Sequence, residues 1–195
     1  RQLISILASV ARHHVRVAEA GDYLQELAAE AERARDEVGL GRAQLLMAGL
    51  ARLTLRAGDA LGLYAEARER FEAAAHHMNA CVCSANAALA SLALGDHDAA
   101  LRSARHARLG LERRGATQLA WGASTTEAMV LLASDQPHEA IVLLRSTGAG
   151  DAVLDGRYSS SSTAEVLARL ATWKRDAALH ERALTAWRRA AVTQG

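Results

Sequence analysis

Between Ser84 and Ala107 the chain reads SANAALASLALGDHDAALRSARHA, two runs of small and apolar residues on either side of one Gly-Asp pair. Spacings of three and four put the apolar positions of each run on one helical face, and Gly-Asp suits a helix end followed by a helix start. The segment therefore predicts two amphipathic helices folded back on each other. The pattern recurs along the chain. Aligned on Ala67, Ala100, Ala140 and Ala183, four segments carry Tyr64, His97, Pro137 or His180 three residues earlier, and Phe71, Ala104, Leu144 or Trp187 four residues later. The aligned alanines are 33, 40 and 43 residues apart. Upstream of each segment lies a further amphipathic stretch: LLMAGLARLTLRAGD, ACVCSANAALASLALGD, WGASTTEAMVLLASDQ and TAEVLARLATWKRD.

An earlier, weaker pair, LISILASVARHHVRVAEAGD and YLQELAAEAERARDEVG, extends the series to about five antiparallel hairpins, at 2–38, 40–77, 79–115, 117–146 and 162–193. Gly-Asp at 21–22, 58–59 and 95–96 marks turns, Pro137 sits where a first helical turn tolerates proline, and Ser162 with Glu165 reads as a capping box. Residues 147–162 read as a long loop. No alternation of β-branched and polar residues is long enough for a sheet, so residues 1–195 are expected to form one all-α repeat domain. Small residues such as Ala88 and Ala100 let paired helices approach closely, and Leu89, Leu92 and Leu101 add about 1.5–3 kcal/mol each when covered. One hairpin cannot hide its own apolar face. Hairpins must stack, and the first helix of each pair then lines a groove.

Asn86-Ala87-Ala88, Gly95-Asp96-His97, Ala100-Leu101, Ala104 and Ala107 together resemble the tetratricopeptide repeat (TPR) family, and Leu170-Ala171, His180, Ala183-Leu184, Trp187 and Ala190 repeat the likeness. The resemblance implies a TPR-like right-handed α-solenoid. It also implies that Arg12, Arg52, Asn86, Met129 and Arg169 face the concave side or its edge, where an asparagine holds a peptide backbone and cations take carboxylates. Arrays in this alanine- and arginine-rich style are similar to the helical sensor portions of actinobacterial multidomain transcriptional regulators. The resemblance thus implies a non-catalytic binding module for a protein, peptide or small effector, with DNA recognition carried elsewhere on a longer chain.

Composition narrows the alternatives. Half the residues are hydrophobic, only 4% are aromatic, and the formal net charge is +1, which argues against a nucleic-acid surface. The arginines of RSARHARLGLERR read as a solvated outer face without interleaved aromatics for base stacking. Lys174 is the only lysine, a habit of GC-rich genomes. No apolar run approaches the roughly 18–20 residues that span a bilayer, and no signal peptide is evident, so a cytoplasmic site without membrane contact is expected. Arg1 in place of Met suggests a piece of a longer chain.

Candidate chemistry is sparse. In HHMNACVC, residues 76–83, His77 and Cys81 at four residues' spacing could share a helical face as metal ligands, whereas Cys83 turns away. The serines at 159–162 lack a nucleophile elbow, and TGAGDAVLDGRYSSSS lacks the Gly-Lys-Ser/Thr ending of a phosphate loop. No enzyme activity, metal or cofactor is expected. Two other readings stand beside the binding module. One is a metal or thiol site at 76–83. The other is an assembly scaffold, dimerising through terminal helices such as the Trp187-bearing TAWRRAAVTQG.

Overall fold

A computed structural model describes residues 17–194 of the chain. Among the described residues there are ten α-helices and no strand. They are α1 (Val17–Ala34), α2 (Glu37–Leu53), α3 (Ala57–Ala73), α4 (His77–Ala93), α5 (His97–Glu112), α6 (Thr117–Ala133), α7 (Pro137–Ser146), α8 (Ala149–Leu154), α9 (Ser161–Lys174) and α10 (Ala177–Gln194). None of them is long and apolar enough to cross a membrane.

A strict beat organises them. A left-handed residue closes a helix at positions 35, 55, 75, 95, 115 and 135, and again at 175. At each, its N–H bonds the carbonyl three residues back and the next N–H bonds the carbonyl five back, as Gly95 to Leu92 and Asp96 to Ser91 do at 3.0 Å. These paired bonds satisfy carbonyls that a helix end would otherwise leave open. Arg35, Leu55, Ala75, Asp135 and Arg175 hold the left-handed position without being glycine, each at a cost of about 1–2 kcal/mol. Packing therefore dictates where the helices stop. Gly58-Asp59 consequently lies in the first turn of α3, behind Leu55, and Gly21-Asp22 lies inside α1. Of the three expected Gly-Asp turns, 95–96 alone is one.

Twenty residues per helix make a hairpin of forty, and burial follows that period. Leu40, Ala80 and Ala120 are buried, as are Ala43, Cys83 and Ala123, Gln44, Ser84 and Ser124, and Ala48, Ala88 and Ala128. The hydroxyls of Ser84 and Ser124 donate to the carbonyls of Ala80 and Ala120, so these polar groups sit inside without loss. On the second helices Ala60, Ala100 and Ala140 are fully buried equivalents. Alignment on Ala67 and Ala183 thus runs one heptad short and three residues long. Residues seven or three apart share a helical face, so alanine matching alone does not distinguish these registers.

Contacts divide the helices into two units. In the first, up to Asp96, α1 packs on α2, α2 on α3 and α3 on α4. The links of two or three residues make these neighbours antiparallel. Tyr64 is enclosed there by Ala48, Ala51, Ala60 and Ala90, and Phe71 by Ala67, Ala80 and Cys83. A polar relay also ties α2 to α3. Arg70 donates to Glu37 and to Gln44, which donates to Glu66 at 2.7 Å.

In the second unit, from His97 onward, α5 packs on α6, α6 on α7 and α9 on α10. Here the beat is interrupted. α7 has 10 residues, and after left-handed Gly148 the chain forms α8, which packs among α6, α7, α9 and α10. Ala149, Gly150, Ala152 and Val153 are buried, so this part of the segment expected as a loop belongs to the core. The N-cap of α9 is Ser160, whose hydroxyl accepts from the Thr163 N–H at 3.1 Å, and not the expected Ser162. On α10, Ala183, Ala186 and Ala190 form the inward stripe and leave Trp187 46% exposed.

Because Ala140 has no free surface while Ala65 is exposed, Ala140→Leu is expected to lower the unfolding free energy by about 1–3 kcal/mol, and Ala65→Leu to change it by under about 0.5 kcal/mol. Urea denaturation of the two variants measures the difference.

Candidate functional site

Glu127 is the single charged residue of α6 and one of the most deeply enclosed, with its side chain 3% exposed. It is balanced from α5: Arg105 Nε donates to Oε1 at 3.2 Å and Arg108 Nε to Oε2 at 2.7 Å. Arg108 also grips both oxygens of Glu112 at 3.0 Å. Burial opposes the Arg108 charge, but its bonds to Glu127 and Glu112 outweigh this and hold its pKa above the ordinary value. Both carboxylate oxygens are thus committed, and the cluster acts as a clamp between α5 and α6. The expectation of a solvated face is corrected for Arg108, which is drawn inward by this pairing, whereas Arg105 stays exposed while it reaches Glu127. The signal in the sequence that points to it is the lone carboxylate in WGASTTEAMVLL. Beside the clamp, Arg105, Leu131, His138, Val142 and Ser146 line a shallow cleft of about 410 Å³, and His138 sits edge-on to Trp173 at 4.6 Å.

The interruption after α7 builds a second, more featured cleft, of about 280 Å³, among α7, α8, α9 and α10. Its floor is aliphatic: Ile141, Leu144, Leu154, Leu167, Leu170 and Leu179. Its rim is charged, with Arg145, Asp151, Lys174, Asp176 and Arg182. Two of these serve the fold itself. Asp176 accepts from the Leu179 N–H at 2.9 Å, which caps α10, and Arg182 pairs with Asp155 at 3.7 Å. Arg145, Asp151 and Lys174 make no ion pair or side-chain hydrogen bond among the described residues. Arg189 donates to the carbonyls of Val153 and Leu154, which anchors the end of α8 to α10. An aliphatic floor under unpaired charges of both signs suits an amphipathic small molecule.

Arg12 lies outside the described residues, as do His13 and His14. The other groove candidates divide between the units. Arg52, in α2, is half-buried against the Tyr64 hydroxyl; burial raises the Tyr64 pKa and the bond from Arg52 offsets part of that rise. Asn86, in α4, donates its amide to the Val82 carbonyl of its own helix at 3.1 Å. Met129, in α6, packs against the core of the second unit, and Arg169, in α9, is exposed. None of the four lines either cleft.

At 76–83, His76 and His77 are exposed while Cys81 and Cys83 are buried, so the histidines and thiols are not brought together. Among the described residues no three His, Cys, Asp or Glu side chains are grouped to hold a metal ion. Burial pushes the Cys83 thiol up to about 12, against a smaller opposing pull from Arg68, and so keeps it protonated and unreactive.

No family model and no curated protein matches the chain. Among solved structures it is similar to the crystal structure of BtubC (BKLC) from P. vanneervenii, with a TM-score of 0.72 and 16% sequence identity, over 97% of this chain and 79% of that one. That likeness concerns the fold alone.

Arg108 is 15% exposed and Arg105 54%. Arg108→Ala is therefore expected to cost about 3 kcal/mol of unfolding free energy and Arg105→Ala under about 1 kcal/mol, measured by denaturant titration. The Cys83 thiol titrates near 9 when freed and about 12 in the fold. Its contribution to stability is complete below pH 9 and is lost as the pH climbs from 9 to 12, because only the unfolded chain ionises there. Cys83→Ala is expected to flatten that alkaline decline, and native protein at pH 8 is expected to resist thiol alkylation until it is unfolded.

Proposed function

We propose that this chain is a non-catalytic binding module, a TPR-like right-handed α-solenoid that takes a small effector, peptide or protein. It serves as the sensor domain of a bacterial transcriptional regulator and acts in signal transduction. The observation that carries this reading is the cleft of the second unit, where four helices set an aliphatic floor beneath unpaired Arg145, Asp151 and Lys174. Support for the repeat architecture comes from the forty-residue burial period. The effector occupies the cleft.

A second reading, an assembly scaffold, draws on α10, where Trp187 is 46% exposed and Val192 81%. Sedimentation separates the two: a scaffold self-associates and loses that on Trp187→Ala. For the binding module, melting temperature is measured against a panel of charged metabolites and peptides. A ligand at 100 times its Kd adds about 2.7 kcal/mol, a rise of roughly 5–11 °C for a domain of this size. A flat response across the whole panel would sink the reading.

A further inference from the structure

We infer that the cleft among α7, α8, α9 and α10 is a site for a free aliphatic α-amino acid, held as its zwitterion. This rests on the binding-module reading and gives its effector a chemical class. Three features of the cleft point the same way.

The floor comes first. It consists of leucine and isoleucine side chains, and no aromatic ring lines the cleft. A branched aliphatic group is matched to such a surface, and its transfer from water contributes about 0.8 kcal/mol per buried methylene. Second comes size. At about 280 Å³ the cleft lies at the lower limit of small-molecule sites, enough for a metabolite of a few carbons and too little for an extended peptide.

The rim decides the charge. Asp176 and Arg182 are occupied by the α10 cap and by Asp155. The charges left over are Arg145 and Lys174 against Asp151, from the end of α7, the end of α9 and the first turn of α8. A plain fatty carboxylate would answer the cations and leave Asp151 facing its own like charge. An alkylamine would answer Asp151 and be repelled by two cations. A ligand that carries a carboxylate and an ammonium on one carbon, next to an aliphatic branch, satisfies all three together. The carboxylate goes to Lys174 and Arg145, the ammonium to Asp151, and the branch to Leu144, Leu167 and Leu170. All three rim residues are exposed, so replacing them leaves the core intact.

The test is calorimetric titration of the full chain with L-leucine, with 4-methylpentanoate (which lacks the ammonium) and with isopentylamine (which lacks the carboxylate). L-leucine is expected to bind saturably, and each truncated analogue at least about tenfold more weakly. The variants sort the two ends. Lys174→Ala weakens L-leucine and 4-methylpentanoate and strengthens isopentylamine by removing a like charge, whereas Asp151→Asn weakens L-leucine and isopentylamine and strengthens 4-methylpentanoate for the same reason. Circular dichroism spectra matching the wild type establish that both variants are folded. Absence of saturable L-leucine binding up to about 10 mM overturns the inference, as does equal binding by a Lys174→Ala/Asp151→Asn double variant. If other metabolites or peptides still raise the melting temperature, the binding-module reading survives that loss; if none does, both fall.

Discussion

An alanine side chain offers little area to bury, so a core built from alanines is stable only when helix backbones approach closely along their whole length. That demand governs the rest of the molecule. Ala48, Ala88 and Ala128, and Ala60, Ala100 and Ala140, hold the contact positions with essentially no exposure, where a larger side chain is expected to overpack. Close approach in turn fixes where each helix stops. The chain must reverse at the same point in every helix or the small faces fall out of register. It does so even where the left-handed residue is Leu55 or Arg175 and the backbone conformation is costly. Local strain at the turns is offset across the packed length of two helices.

Departure from this regularity is where the cleft develops. Forty residues separate the starts of α7 and α10, the same frame that elsewhere holds two long helices, but α7 ends after 10 residues. The remainder is filled by α8, and α8 is too short to cover what a full helix would cover. The uncovered apolar floor becomes the cleft. An interrupted helix is thus a direct route to a concave opening in an otherwise continuous helical surface.

Much of the architecture is legible in the sequence, and the parts that are not share a physical cause. The helical pairs expected at 117–146 and 162–193 agree with α6–α7 and α9–α10 nearly to the residue, because Pro137 and the apolar spacing leave little freedom there. The repeat length is blurred because helical faces recur every three, four and seven residues, so Ala67 matches Ala100 as well as Ala60 does. Gly21-Asp22 and Gly58-Asp59 mislead because glycine permits a turn without requiring one; tertiary packing overrules such local preference. The helix α8 is hidden by its glycines and by a length too short to show periodicity. Of the groove candidates, Arg52 and Asn86 are engaged with Tyr64 and Val82, partners that spacing alone does not reveal. Arg145, Asp151 and Lys174 come from three different helices, and only the fold assembles them into one rim.

Electrostatics completes the division of labour. A charge already matched inside the fold is a poor ligand contact, since recruiting it means breaking one partnership to form another. Arg108 is bound to Glu127 and Glu112, Arg70 to Glu37 and Gln44, and Arg189 to the carbonyls that end α8. These arginines are numerous and conspicuous in the sequence, yet each belongs to the framework. Lys174, the single lysine of the chain, differs from these three, as does Arg145: both stand on the cleft rim and make no ion pair among the described residues. A compact ammonium on a flexible stem can turn its donors in many directions, whereas a guanidinium fork demands a fixed planar geometry. The fold thus commits Arg70, Arg108 and Arg189 to its framework and leaves Arg145 and Lys174 unpaired among the described residues on the cleft rim.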